Sequence, residues 1–322
     1  MKSILAVAIS LTLSFSAFAQ NLRMLVSWPI GNPATTMAQQ FQRIVQEVGK
    51  GKVTIQLIGP EVVPPFQQLQ PVAAGAFDML YTAGAYHGGN KGLALVMDVV
   101  APDPAKRRES GVMAFLDDYY QKQHGIKVLA VGILGRGGYQ CVLKAPLTPQ
   151  GDWKGRKIRG VSNFHGVILA LGGTPTVLPV AETYSVLERG VVDGSCMPVG
   201  TVLSFKVYEV AKYRVEPTFG TVNMIYGINL NKWNSLPKES QAILIEAGKR
   251  TELANLTFGD GVVKDERDEL AKHGVQVQHV PAPQAEKMLK AFDENNWDLG
   301  IKCCGAASQQ FREIAKKAGL AD

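Results

Sequence analysis

The chain has 322 residues, of which 46% are hydrophobic and 19% charged, so it can form two ordinary domains and is too apolar to be intrinsically disordered. Its formal net charge is +6, and basic residues are interspersed with acidic ones, as at 106–109 and 264–269. A nucleic-acid-binding surface would concentrate the positive charge on one stripe. We therefore predict no nucleic-acid partner and a mild bias toward anionic ligands.

Residues 1–19 are organised like a secretory signal peptide. Lys2 precedes an unbroken apolar stretch, and Ala17-Phe18-Ala19 forms a small-x-small cleavage site. The alternative, a membrane anchor, is less consistent with the sequence, because the stretch is short for a span and no stop-transfer charges follow it. We predict cleavage near Ala19 and export of the mature protein.

The first part of the mature chain alternates between predicted strands and helices. Strands are predicted at 23–28, 53–59, 77–83 and 127–134, and the longest helical segment between them covers about 105–124. This rhythm predicts right-handed βαβ units and a mostly parallel sheet. The first lobe is expected to end near the last of these strands.

A second series of predicted elements follows, with strands at 139–144, 157–161, 176–180 and 194–199. The segment 214–230 is predicted to be one long strand. No linker rich in Pro and Ser separates the two series, so we expect the chain to cross between lobes on strands of this kind.

Residues 238–273 carry apolar side chains at steps of three, four and seven, which predicts a helix of over thirty residues. Such a helix is roughly 50 Å long and exceeds the width of one lobe, so it should span both. Gly259 and Gly261 lie within it. Either the helix breaks there, or the glycines mark a bend in a connecting helix; we favour the bend.

Four cysteines occur, at 141, 196, 303 and 304, which is too few for a disulfide-framed fold. Cys303 and Cys304 are adjacent and cannot easily bond to each other in relaxed geometry. A bridge between Cys141 and Cys196 is possible in an exported protein, but we expect buried free thiols.

Catalytic signatures are scarce in this sequence. It contains no GxSxG, HExxH or GxxxxGK[ST], and its five histidines are dispersed. The glycines of 132–138 follow a predicted strand but have the wrong spacing for a dinucleotide loop. We predict a protein that is not an enzyme and binds no cofactor; an exported two-lobed hydrolase of small organic acids is the alternative.

Two arginines lie near the predicted junction of the lobes. Arg136 follows a strand inside the glycine cluster, and Arg159 lies within the predicted strand KIRGV, where alternation turns it away from Ile158. Arg159 could pair with a structural carboxylate such as Glu182 or Asp193, or lie on an edge. It could also face a cleft and hold a ligand carboxylate, whose two oxygens match the planar guanidinium.

The segment GDWKGRKIRGVSNFHGVILALGGTPTVLPVAETYSVLERGVVDGSCMP resembles the hallmark region of DctP-type substrate-binding proteins of TRAP transporters. The matching motifs are the Trp-Lys-Gly-x-Lys-Ile-Arg run at 153–159, the Leu-Gly-Gly-Thr-Pro turn at 171–175, Pro179 with Glu182 and Tyr184, and the segment from Leu187 to Gly194. WPIGNP, EVVPPFQQLQPVAAGAFDM and AYHGG are also similar, so the resemblance covers almost the whole mature chain.

The resemblance implies a periplasmic-binding-protein-like α/β fold with two lobes, each a mixed, mostly parallel sheet flanked by helices. Crossing strands and one long helix would join the lobes. We assign 20–133 plus about 222–260 to lobe I, and 134–221 plus about 261–322 to lobe II.

The family resemblance also implies a periplasmic solute receptor that delivers a small organic carboxylate to the membrane subunits of a TRAP permease. A membrane sensor kinase is an alternative partner, and we expect a monomer.

The resemblance further implies which residues bind the ligand. Arg159 matches the arginine that makes the salt bridge to the ligand carboxylate, and Arg136 is the nearest match to a second, assisting arginine. The other residues carried over as ligand contacts or walls of the site are Val180, Met197, Asn223, Trp28 and Tyr81.

One departure from the family pattern bears on the ligand. Where members carry a glutamate after Asp-Gly, this chain has Ser195, Cys196 and Met197. A carboxylate that could hold a cation is missing, so we predict no metal at the site. Val180 and Met197 would provide an apolar wall, which favours a monocarboxylate with an apolar or aromatic body over a C4-dicarboxylate.

Overall fold

The computed structural model describes residues 20–87 and 92–322, so the predicted signal peptide at 1–19 lies outside the described residues. Two sheets flanked by helices confirm the predicted two-lobed α/β architecture. Across the described ranges, no helix combines the length and apolarity needed to cross a membrane.

The described strands belong to two sheets. In chain order they are β1 (Gln20–Val26), β2 (Val53–Ile58), β3 (Met79–Thr82), β4 (Ile126–Ile133), β5 (Tyr139–Leu143), β6 (Lys157–Arg159), β7 (Thr174–Thr176), β8 (Gly194–Pro198), β9 (Tyr213–Phe219), β10 (Asn223–Asn229) and β11 (Gln276–His279). The first sheet has the order β2-β1-β3-β10-β4, and the second has the order β11-β9-β5-β8-β6-β7. These two sheets form the centres of lobe I and lobe II.

Each sheet mixes parallel and antiparallel pairs. In lobe I, β1 is parallel to both β2 and β3, as the βαβ rhythm predicts, while β10 runs antiparallel to β3 and β4. In lobe II, β6 is parallel to β7 and β8, whereas β5 is antiparallel to β8 and β9. The antiparallel pairs are thus made by the strand that enters each sheet from the other lobe, which is β10 in lobe I and β5 in lobe II.

Helices cover the faces of both sheets. They are α1 (Pro33–Gly49), α2 (Leu69–Ala73), α3 (Pro104–Glu109), α4 (Val112–His124), α5 (His165–Ala170), α6 (Thr183–Glu188), α7 (Leu230–Ser235), α8 (Lys238–Lys272), α9 (Ala282–Cys304) and α10 (Ala306–Lys317). The helix predicted at about 105–124 is divided into α3 and α4, because Gly111 adopts a left-handed φ of 88° that a helix cannot contain.

The long segment predicted as one crossing strand consists of two strands, β9 and β10. They lie in different sheets, so the segment crosses between the lobes as predicted. The break falls at Gly220, whose φ is 64°, and the Thr221 amide donates a hydrogen bond to the carbonyl oxygen of Asp98 at 2.8 Å. The crossing is therefore fixed to lobe I on one side by a backbone hydrogen bond.

The predicted long helix is a single helix, α8, with no break at either glycine. It packs against α1 and β4. A Cβ atom added to Gly259 would lie 2.0 Å from the backbone nitrogen of Gly135, whereas one added to Gly261 meets nothing within 4 Å. Gly259 therefore marks the point where α8 touches the connection between β4 and β5, and glycine is required there for close approach.

The C-terminal part of the chain corrects the predicted division into lobes. Residues 261–322 were all assigned to lobe II, yet α10 packs against α4 in lobe I. Phe311 and Ala315 of α10 belong to the same apolar cluster as Leu25 and Leu80 of the first sheet. α9 contacts both α5 and the 3-10 segment Leu93–Val99, so the chain returns along it from lobe II to lobe I.

The cysteines also differ from the expectation of free thiols. Cys141 and Cys196 form a disulfide, because the register of β5 and β8 places them directly opposite each other with their Cα atoms 4.0 Å apart. Cys303 and Cys304 form a second disulfide between adjacent residues at the end of α9, contrary to the expectation that they would not bond. The first bridge lies in the sheet that carries Arg159.

Candidate functional site

Arg159 lies at the end of β6, a short strand between β8 and the edge strand β7 in lobe II. Ile158 is fully buried in the core, and strand alternation turns Arg159 to the opposite face, where the residue is only 1% exposed. Its Nε and Nη2 atoms donate hydrogen bonds to the carbonyl oxygen of Leu178 at 2.8 and 2.6 Å, and Nη1 donates to that of Cys196 at 2.9 Å. The guanidinium is thereby held rigidly by main-chain acceptors.

The acidic partners considered for Arg159 do not neutralise it. The Asp193 carboxylate accepts a hydrogen bond from the backbone amide of Lys157 at 2.8 Å. Glu182 exerts only a minor electrostatic effect on the pKa of Arg159, which burial lowers. In the described ranges, the guanidinium donates to the carbonyl oxygens of Leu178 and Cys196 and lies beside the Tyr86 hydroxyl, and none of these groups carries a full charge. A buried cation of this kind favours an anionic guest.

A small cavity of about 30 Å³ lies beside Arg159 between the two lobes. Lobe I contributes Trp28, Ala83, Ala85, Tyr86, Val222 and Met224, and lobe II contributes Tyr139, Arg159, Val161, Asn163, Phe164, Val180 and Pro198. Among these described residues Arg159 alone carries a charge. The volume corresponds to about one water molecule, so a larger guest can enter only if the lobes separate.

Contacts across the cavity hold the lobes together in this conformation. The Tyr86 hydroxyl of lobe I accepts a hydrogen bond from the Val180 amide of lobe II at 3.4 Å and also lies against Arg159. The Tyr86 ring stacks on Trp28, with the ring centroids 5.5 Å apart. One aromatic pair of lobe I therefore covers the guanidinium of lobe II.

The structure brings three of the seven residues predicted for the site to the cavity, namely Arg159, Val180 and Trp28. Tyr81 packs edge-on against Trp28, and its hydroxyl donates to the Ala34 carbonyl oxygen at 2.7 Å, so it supports the wall from behind. Met197 is fully buried in β8 and is not part of the lining.

Two further predicted residues lie elsewhere. Arg136 is largely exposed and forms an ion pair with Asp260 of α8, so the structure does not bring it to the cavity. β4 ends at Ile133, before Arg136, and the glycine-rich segment that follows lies against α8. Asn223 is buried at the start of β10, where its side chain contacts Asp98 and Arg107 rather than the cavity.

Asp98 links the cavity lining to lobe I and was not identified from the sequence. It lies in the 3-10 segment Leu93–Val99 and is 5% exposed. Its Oδ2 accepts hydrogen bonds from the Tyr139 hydroxyl at 2.8 Å and from Nδ2 of Asn163 at 2.7 Å, both in lobe II. Its Oδ1 accepts from Nδ2 of Asn223 at 3.1 Å. A single carboxylate thus fixes two walls of the cavity.

Burial raises the pKa of Asp98 to about 7, although hydrogen bonds from the three side chains and the charge of Arg107 oppose the shift. Because the pKa of Asp98 in the folded protein exceeds the ordinary value of 3.8, protonated Asp98 contributes to the stability of the fold. This contribution is fully present below about pH 4 and is lost as the pH rises through 7. A pKa shift of this size corresponds to at most about 4 kcal/mol in the free energy of unfolding.

Replacement of Asp98 with asparagine should therefore flatten part of the pH dependence of stability. Urea unfolding of both proteins at pH 4.5, 6 and 8 measures this. We expect the free energy of unfolding of the wild type, relative to Asp98→Asn, to fall as the pH rises. Parallel pH profiles would show that Asp98 titrates normally in the folded protein.

Comparison with known proteins identifies the family of this chain. The model of the DctP family, described as bacterial extracellular solute-binding protein, family 7, matches residues 26–298. The C4-dicarboxylate-binding periplasmic protein DctP of Rhodobacter capsulatus is 25% identical over 285 residues, which cover 82% of this chain and 80% of the relative. A monocarboxylate 2-oxoacid-binding periplasmic protein of Nostoc is 27% identical over 293 residues, covering 86% of this chain and 77% of the relative.

A solved structure shows the same fold. The TRAP periplasmic solute-binding protein of Desulfovibrio salexigens, with bound orotic acid, superimposes with a TM-score of 0.80 and 24% identity over 92% of this chain and 98% of that protein. The family match extends over most of the chain and includes the strand that carries Arg159. The chain therefore belongs to family 7 of the bacterial extracellular solute-binding proteins.

Proposed function

We propose that this protein is a periplasmic receptor that binds a small organic monocarboxylate between its lobes and delivers it to the membrane subunits of a TRAP permease. The observation that carries the proposal is the buried Arg159 guanidinium, which borders an interlobe cavity and is held by carbonyl groups rather than by an acid. The related proteins of Rhodobacter capsulatus and Desulfovibrio salexigens are described as periplasmic binding proteins, the latter for a TRAP system.

The charge of the cavity favours one carboxylate over two. Among the described residues of the lining, Arg159 is the single cation and the others are neutral. A second carboxylate on the guest would be buried without a partner, which costs several kcal/mol. The named ligands of the relatives include both C4-dicarboxylates and monocarboxylate 2-oxoacids at similar identity, so the lining of this chain is the better guide.

The apolar residues of the cavity lining indicate the rest of the guest. Trp28, Phe164 and Met224 provide aromatic and flexible apolar surface, and Val161 and Val180 add aliphatic surface. When the lobes close, this surface loses water together with the body of the guest, and the lower dielectric strengthens the ion pair. We therefore propose an apolar or aromatic body.

Binding alone, without turnover, is the proposed activity. The cavity lining in the described ranges includes no Ser, Cys, His, Asp or Glu, so it offers no pair of nucleophile and base. A bound acid incubated overnight with the protein should be recovered unchanged by mass spectrometry. We also propose that the receptor acts as a monomer and needs no cofactor.

A thermal-shift screen of organic acids tests the proposed ligand class. We expect branched or aromatic monocarboxylates to raise the melting temperature more than succinate or malate, because only the monocarboxylates leave no unpaired charge in the cavity. If succinate or malate stabilised the protein more than every monocarboxylate in the screen, the proposed class would be wrong.

A further inference from the structure

The orientation of the Asn163 amide is fixed by Asp98. Nδ2 of Asn163 donates to Oδ2 of Asp98 at 2.7 Å, and the Tyr139 hydroxyl donates to the same oxygen. Where Asp98 is ionised, above about pH 7, a flipped amide would place its oxygen against the carboxylate oxygen, so Nδ2 faces Asp98. The amide oxygen Oδ1 therefore points away from that contact.

Oδ1 of Asn163 is a buried acceptor without a partner. The residue is 1% exposed, and Oδ1 has no hydrogen-bond partner within the described protein. Among the residues that line the cavity, Asn163 is the one with such an atom in the described ranges. Buried amide oxygens are normally hydrogen-bonded, so an orphaned one at a binding cavity indicates a donor on the guest.

Arg159 and Asn163 are four residues apart and border the same cavity of about 30 Å³. A carboxylate held by Arg159 therefore has its neighbouring atoms close to Asn163. We propose, on the basis of the proposed function, that the guest is a carboxylic acid with an O–H or N–H donor at position 2, which Oδ1 of Asn163 accepts. A 2-hydroxy acid or an acid with a 2-amide or ring N–H has this chemistry.

This assignment distinguishes between acids of nearly equal size. A 2-oxo acid presents a carbonyl oxygen to Oδ1 of Asn163, so two acceptors repel each other. An acid without a substituent at position 2 leaves Oδ1 unpaired in an apolar cavity. Both should bind at least about tenfold more weakly than the matching 2-hydroxy acid.

Calorimetric titration of matched acids at pH 8, where Asp98 is ionised, tests the inference. One series is 2-hydroxy-3-methylbutyrate, 2-oxo-3-methylbutyrate and 3-methylbutyrate; the other is mandelate, phenylglyoxylate and phenylacetate. In the series whose body fits, we expect the hydroxy acid to bind at least about tenfold more tightly than the other two. This ratio is measured on the wild-type protein and depends on no variant.

Two variants assign the selectivity to Asn163. Asn163→Ala should bring the three affinities within about threefold of each other, because the acceptor is removed. Asn295→Ala removes a side-chain amide that donates to the carbonyl oxygen of Asn163 but does not border the cavity, so the ratio should persist. If all three acids bound the wild type with equal affinity and bound Arg159→Ala more weakly, the inference of a donor at position 2 would be wrong, while the proposed function would stand. If no acid bound, both would be overturned.

Discussion

Replacement of Arg159 with alanine is expected to weaken binding of the solute by about ten- to a hundredfold or more. A hydrogen-bonded charge pair contributes about 1.5–3 kcal/mol, and closure of the lobes strengthens it by excluding water. Arg159→Lys should recover little, because an ammonium cannot hold the carbonyl groups of Leu178 and Cys196 and also grip both oxygens of a carboxylate. Calorimetry with the solute that binds the wild type measures the loss.

Arg156 provides a matched control for the Arg159 variant. It lies three residues earlier, and its guanidinium donates to the carbonyl oxygens of Ala145 and Pro146, but it does not border the cavity. Arg156→Ala should therefore bind with unchanged affinity. Because Arg159→Ala also removes donors from two carbonyl groups, its melting temperature must be measured alongside. A folded Arg159→Ala protein with wild-type affinity would exclude Arg159 from the site.

Replacement of Gly259 with alanine is expected to destabilise the protein by about 3 kcal/mol or more. The new Cβ would lie 2.0 Å from the Gly135 nitrogen and 2.4 Å from the carbonyl carbon of Leu134. Both neighbours are backbone atoms, so α8 and the connection from β4 to β5 must move apart. Overpacking of this kind costs about 1–3 kcal/mol even where side chains can adjust.

Gly261 is the control for this prediction, because it lies two residues further along the same helix. A Cβ atom there meets nothing within 4 Å. Gly261→Ala should stabilise the protein by up to about 1 kcal/mol, since alanine is the better helix former. Urea unfolding gives both values. Equal effects of the two substitutions on the free energy of unfolding would show that the close approach of α8 to Gly135 does not exclude a side chain at residue 259.

Strand alternation and the family resemblance indicated three residues that the structure brings to one cavity. Strand alternation turned Arg159 away from the core, and the family resemblance added Val180 and Trp28. Arg136 does not line this cavity, because its glycine-rich neighbourhood lies in close contact with α8. Asp98 could not be found, since its partner Asn163 is 65 residues away and nothing local indicates the contact.

The same reasoning explains the differences in the fold. An amphipathic pattern shows that α10 has an apolar face, but it does not show which lobe receives that face. Likewise, Cys141 and Cys196 are brought together by the register of β5 against β8, and register depends on pairing that the local sequence does not specify. The faces of single elements and the parallel pairing within βαβ units were predictable, whereas the packing of α10 and the register of β5 against β8 were not.

Native mass spectrometry of the protein purified under mild conditions tests the central claim most directly. We predict a bound organic acid with one carboxylate, released on denaturation, which is present on the wild type and on Arg156→Ala and absent from folded Arg159→Ala. Retention of the same acid by Arg159→Ala, or a bound solute that carries no carboxylate, would contradict the account of the cavity given above.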